Sequence, residues 1–141
     1  MNLTTSDNIL VTKLDRMVTN GGDVLHGIKN TDPGYAGFGE AYHSQVRAGA
    51  VKAWKRHAKM TMNLVVPYGQ VEFVFSTDCE KYRVEEIGEN RYVRLTVPPG
   101  IWFGFKGLSS PISLILNIAN IPHQQKEVER RSVESLDYCW N

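Results

Sequence analysis

The sequence predicts an all-β fold of about nine short strands, and three observations carry that prediction. Apolar residues recur at every second position in Val71, Phe73 and Phe75, in Val93, Leu95 and Val97, and in Leu114, Leu116 and Ile118. That period places one set of side chains on one face of a strand. Turn-forming residues cut the chain at short intervals: Gly21-Gly22, Asp32-Pro33-Gly34, Pro67-Tyr68-Gly69, Pro98-Pro99-Gly100 and Ser109-Ser110-Pro111. No strand–helix–strand alternation is present, which excludes a doubly wound parallel sheet and leaves a sandwich or barrel. A jelly roll and an immunoglobulin-like sandwich both satisfy the periodicity.

Beyond the three alternating runs, strands are expected over residues 8–13, 38–47, 50–57, 61–66, 81–87 and 101–106. One helix is expected, at residues 124–136 (QQKEVERRSVESL). There Glu127 and Arg131 stand four apart, as a helical ion pair requires, while Val128, Ser132 and Leu136 supply a thin apolar stripe. The helix would be short and peripheral.

At 141 residues the chain is read as one domain, 1–141, and its 42% apolar and 22% charged residues suit a soluble globular protein. Sixteen Lys and Arg against fifteen Asp and Glu leave a net charge of +1, so no global field points to nucleic acid. No apolar run reaches the roughly 18 residues of a membrane span. The start, MNLTTSDNIL, has neither a basic nor a long apolar region, so no leader and a cytoplasmic location are expected. Cys79 and Cys139 lie outside any paired spacing and are read as free thiols. No phosphate loop or dinucleotide fingerprint occurs, so no cofactor is implied.

Three stretches carry a resemblance: HSQVRAGAVKA at residues 43–53, LVVPYGQV at 64–71 and VPPGIWFGF at 97–105. Together they resemble the dTDP-4-dehydrorhamnose 3,5-epimerase family and its relatives, including the sugar 3,4-ketoisomerases. The match runs from about residue 36 to about residue 120. It implies a cupin-type jelly roll (a double-stranded β-helix), usually a homodimer, with a ligand cavity inside the barrel. It also implies a nucleoside-diphosphate sugar as partner, in surface-polysaccharide or deoxysugar biosynthesis. The family's chemistry removes a proton beside a 4-keto group and returns it, which needs a base of suitable pKa and a positive charge or donor for the enolate.

Family epimerases place a histidine base at the fourth position of an Arg-Gly-Leu-His-like string, and the matching string here is Lys52-Ala53-Trp54-Lys55. Lys52 is thus expected to hold phosphate, and Lys55 takes the histidine's position. A second family histidine is replaced by Phe103, and the family tyrosine falls near Ile121 and Pro122. The scaffold matches while the catalytic set departs from it. Isomerase or epimerase chemistry with substituted residues is one reading; a nucleotide-sugar-binding cupin without catalysis is the alternative. Metal-binding cupins carry HxH and PxGxxH; here only His57 of those three histidines is present, and a metal site takes about three protein ligands, so no metal is expected.

The candidate site follows. Lys52, Lys55, Arg56, His57 and Lys59 place five basic residues in eight positions, and Lys55 and His57 share a strand face. If that face is the barrel interior, desolvation and positive neighbours lower the lysine's pKa, and Lys55 and His57 form an acid–base pair. A solvated basic strand end is the other reading. Tyr42 is the candidate to replace the missing acid. Lys52, Lys59, Asn63, Trp102, Phe103, Lys106 and Asn117 are candidate substrate contacts. Trp102 would stack on a ring, Lys106 would stand at a cavity mouth, and Asn63 and Asn117 interrupt apolar strands. Core packing, a surface lysine and backbone-bonded amides are the respective alternatives.

Overall fold

Antiparallel pairing joins all the named strands of residues 8–141, the part of the chain described by the structure, a computed structural model. The leader reading of residues 1–7 lies outside it. Twelve strands are described: β1 (Leu10–Lys13), β2 (Arg16–Met17), β3 (Val24–Leu25), β4 (Glu40–Arg47), β5 (Val51–His57), β6 (Met62–Tyr68), β7 (Gln70–Ser76), β8 (Arg83–Gly88), β9 (Val93–Val97), β10 (Trp102–Gly107), β11 (Ile112–Ala119) and β12 (Val128–Arg130). One sheet has the order β1-β9-β6-β11-β4, the other β12-β5-β10-β7-β8, and β2 pairs with β3 in a small ribbon.

Four nested pairs, β4 with β11, β5 with β10, β6 with β9 and β7 with β8, fold one long hairpin over on itself. That nesting is a jelly roll, and it decides between the two architectures that periodicity left open. Alternation selects the interior. Met62, Leu64 and Val66, then Val71, Phe73 and Phe75, then Val93, Leu95 and Val97 pack between the sheets with Phe103, Ile115 and Ala119.

The intervening residues are buried as well, because loops cover both outer faces. On the first sheet Arg94, fully buried, donates from Nη1 to Gly27 O at 2.8 Å and from Nη2 to Pro33 O at 2.7 Å. Its Nε donates to Asn63 Oδ1 at 3.1 Å. These bonds fasten the segment before β4 to the sheet. On the second sheet the C-terminal tail lies over Trp54, Val74 and Trp102, bringing Leu136, Tyr138 and Trp140 against them. Trp54 Nε1 donates to Val133 O at 3.1 Å.

The expected C-terminal helix is not formed. Residues 124–136 contain two single 3-10 turns, Gln125–Glu127 and Val133–Ser135, on either side of β12. The open edge of β5 supplies β12 with sheet hydrogen bonds that outweigh a weak local helical pattern. Nor do Glu127 and Arg131 pair: the Glu127 carboxylate bonds His57, and the Arg131 guanidinium lies 4.6 Å from the Trp102 ring centroid. Among the described residues no helix is long and apolar enough to cross a membrane.

Candidate active site

Between the two sheets lies a cavity of about 310 Å³. Met62, Leu64, Phe73, Phe103, Phe105 and Ile115 give it an apolar wall. Lys52, Lys55, Arg130, His57, Tyr42 and Asn117 give it a polar one, and among the described residues no Asp or Glu lines it.

A register shift puts three basic side chains on one side. Phe103 stands opposite Lys55, whereas Phe105, two residues on and on the same face of β10, stands opposite Lys52. Three residues of β5 therefore span the distance of two on β10. This bulge turns Lys52 to the face already occupied by Lys55 and His57. Strand β12 adds Arg130 directly opposite Lys55, and Val128 opposite His57. Lys52 Nζ donates to Gln45 O at 2.9 Å. Burial, then the charges of Arg130 and Lys52, lower the Lys55 pKa from its ordinary value.

His57 is the most constrained group in the cavity. Its ring stacks on Phe103 with centroids 5.9 Å apart. Its Nδ1 lies 2.5 Å from Glu127 Oε2, both side chains being buried. The other carboxylate oxygen, Oε1, accepts the backbone N–H groups of Lys59 at 2.9 Å and Met60 at 3.0 Å. Burial pushes the Glu127 carboxyl up, but the bonds from His57, Lys59 and Met60 outweigh it and hold the group below its ordinary value. An ionised Glu127 accepts from Nδ1–H. That fixes the tautomer and leaves Nε2 with its lone pair as the imidazole's reactive end.

Across the cavity, on the first sheet, Tyr42 and Asn117 are paired neighbours of β4 and β11. Asn117 Nδ2 donates to Tyr42 Oη at 3.0 Å. His57 and Tyr42 thus line the cavity from opposing sheets.

Of the residues singled out from the sequence, Lys52, Lys55, His57, Tyr42, Phe103 and Asn117 meet at this cavity, and four do not. Trp102 and Lys106 alternate with Phe103 and Phe105 and so face outward. The Trp102 ring lies between the Arg56 and Arg131 guanidinium groups, at 4.7 and 4.6 Å. Asn63 alternates with Met62 and Leu64. Its amide is used by Gly34 O, Arg94 and Thr96 beneath the covering loop. Lys59 lies in the β5–β6 turn, contributing only its backbone N–H to Glu127. Residues the sequence reading did not select are Glu127, Arg130, Ser44 and His123, of which all but Glu127 line the cavity. The one signal for Glu127, its spacing to Arg131, pointed to a helix. Among the described residues no three of His, Cys, Asp and Glu gather as a metal site would require.

A jelly roll that sets a carboxylate-backed imidazole and a cluster of cations around an apolar cavity defines a cupin-type protein suited to an anionic small molecule. No protein-family model matches the chain. No curated protein sequence matches it either. Among solved structures it is similar to a dTDP sugar isomerase from Desulfovibrio desulfuricans G20, with 31% identity over 95% of this chain and 91% of that one and a TM-score of 0.90. The chain belongs to the dTDP-sugar isomerase family. Two more distant structures share the fold. A sugar 3,4-ketoisomerase from Thermoanaerobacterium thermosaccharolyticum, in complex with TDP, has 15% identity over 88% of each chain and a TM-score of 0.76. A dTDP-4-dehydrorhamnose 3,5-epimerase from Bacillus anthracis str. Ames, with TDP and PPi bound, has 14% identity over 94% of this chain and 85% of that one and a TM-score of 0.79.

Proposed function

We propose that the cavity binds a dTDP-linked 4-keto sugar and isomerises it through an enolate, with His57 as base. The observation that carries this reading is the Glu127–His57 pair, 2.5 Å apart, on a cavity whose charged lining groups among the described residues are all basic. His57 Nε2 takes a proton from a carbon beside the ketone. The C–H electron pair becomes the enolate double bond and the carbonyl pair moves to oxygen. Lys55 and the Tyr42 hydroxyl offer that oxygen a positive charge and a donor. The imidazolium, stabilised by Glu127, then holds the proton to be returned. Lys52 and Arg130 suit the diphosphate, and the phenylalanine wall suits the flat faces of sugar and base. The names of the related proteins, a dTDP sugar isomerase and structures holding TDP, support the same substrate class. The reading includes one cupin domain acting as a cytoplasmic homodimer in deoxysugar or surface-polysaccharide biosynthesis.

The test is proton NMR of dTDP-4-keto-6-deoxyglucose in deuterated water with the purified protein. Protein-dependent loss of the C3 or C5 proton signal is expected, and the carbon that exchanges identifies the reaction. His57→Asn should slow exchange about 10²–10⁴-fold while leaving dTDP binding intact. Broadened thymine resonances without exchange would replace the enzyme by a binding protein.

A further inference from the structure

The amide of Asn117 is 3% exposed and its two ends are treated differently. Its Nδ2 donates to Tyr42 Oη and lies 3.8 Å from the Met60 thioether sulfur. Its Oδ1, buried on the cavity, has no hydrogen-bond partner among the described residues. Turning the amide over does not repair this. Oδ1 would then accept from the Tyr42 O–H, but Nδ2, a double donor, would become the unpaired buried end, so the end of the amide away from Tyr42 stays open either way. A buried acceptor without a donor is costly, and such groups point to a missing partner. Tyr42 is complementary. Its oxygen accepts from Asn117, so its own O–H remains to be given away.

We propose that Tyr42 and Asn117 act as a two-point clamp that selects a ketone carrying a hydroxyl on the adjacent carbon. The clamp offers one donor, Tyr42 O–H, beside one acceptor, Asn117 Oδ1. A ketone oxygen beside a hydroxyl offers the reverse pair. In a 4-keto pyranose the ring oxygen occupies the C5 side, so the adjacent hydroxyl is the one on C3. The specificity is therefore for 3-hydroxy-4-keto sugars over their 3-deoxy counterparts. This rests on the 4-keto sugar reading of the cavity. Asn117 serves in binding and also positions Tyr42; no proton passes through it.

Calorimetric titration tests this in the His57→Asn protein, where turnover is blocked, using dTDP, dTDP-4-keto-6-deoxyglucose and the 3-deoxy form of that sugar nucleotide. The 3-hydroxy ligand should bind about 10–100-fold more tightly than the 3-deoxy one. Adding Asn117→Leu should reduce that ratio to about twofold or less, with dTDP affinity held within about twofold, because the nucleotide does not reach the clamp. Asn117→Asp keeps an acceptor but puts a second oxygen against Tyr42 Oη that draws its O–H, so the preference should weaken here too. Equal affinity of the two sugars in the Asn117 protein overturns the proposal without any Asn117 variant, so misfolding of Asn117→Leu does not shelter it. A preference that survives Asn117→Leu overturns it too, while dTDP binding leaves the nucleotide-sugar reading standing. Failure of all three ligands to bind overturns both.

Discussion

Two polar clusters, one beneath the loop that covers the first sheet and one on the cavity between the sheets, are finished to different degrees. Outside, Arg94, Asn63 and Thr96 form a closed set. Arg94 reaches Gly27 O, Pro33 O and Asn63 Oδ1, Thr96 reaches Asn63 Oδ1, and Asn63 Nδ2 reaches Gly34 O. Inside, Lys55 faces Arg130, and among the described residues no carboxylate lines the cavity and Asn117 Oδ1 has no partner. A cluster that satisfies itself holds the fold together. One that leaves charge and lone pairs open is completed by something else. Within the inner group the His57–Glu127 pair is the exception, since it is closed on one side and open on the other.

The largest expected break in this contrast is Glu127→Gln. The backbone N–H groups of Lys59 and Met60 already claim Oε1, so a glutamine would keep its oxygen there and turn its amide toward Nδ1. The imidazole would then carry its proton on Nε2 and lose the lone pair that acts as base. Turnover should fall about 10²–10⁴-fold, read by deuterium exchange at saturating substrate. A second readout separates this from misfolding. The Glu127 carboxyl sits below its ordinary value, so the unfolded chain takes up the proton first as pH falls. Its contribution is present above the ordinary carboxylate range and is lost as pH falls through the lowered value. Glu127→Gln should flatten that acid limb in urea titrations between about pH 3 and 6. An unchanged acid limb would show that Glu127 is not held ionised by these bonds.

Next in size is Arg94→Met, which opens the closed cluster. Gly27 O and Pro33 O lose their charged donor, and the covering segment loses its fastening. Stability should drop by about 2–4 kcal/mol, measured by urea denaturation. Deuterium exchange per folded molecule should stay within about twofold, because the cluster faces away from the cavity. A large loss of exchange with little loss of stability would reverse the roles assigned to the two faces.

The contrast also explains what was legible in the sequence. Period-two alternation is a local property, and it marked the runs at 71–75, 93–97 and 114–118 without reference to distant residues, while turn residues bounded the other six expected strands. The same parity places Lys55 with His57. It equally places Trp102 and Lys106 on the far side from Phe103, and these were drawn toward the site by nearness to a motif rather than by alternation. Asn63 was opaque for a different reason. Its strand is apolar on both faces, so polarity did not say which face was the cavity. The inward turn of Lys52 depends on a bulge set by pairing with β10 and has no local signature. Glu127 lies 70 residues from His57, and its contact exists only once β12 has joined β5. The helix wrongly expected and the carboxylate missed are therefore one event: sheet pairing at the edge of β5 replaced a weak local preference and brought Glu127 to His57.

The smallest effect expected is also the most direct probe of the open cluster. Arg130 stands opposite Lys55 on neighbouring strands, a like-charge pair that disfavours the ligand-free fold. Lys55 has its pKa lowered by burial first and by Arg130 next. Because its folded value lies below its ordinary one, charged Lys55 is penalised in the native state, and the penalty is relieved as pH rises through the lowered value. Arg130→Met removes part of the penalty. The ligand-free protein should melt about 1 °C higher at pH 7 in low salt, corresponding to a few tenths of a kcal/mol. The gain should shrink at high ionic strength. The Lys55 pKa, followed by NMR, should move back toward its ordinary value, and the stabilisation conferred by dTDP should weaken. A substitution that raises the melting point and weakens the ligand's hold would mark Arg130 as a charge placed for an anion rather than for the fold. A drop in melting point with unchanged dTDP stabilisation would place Arg130 with the structural cations instead.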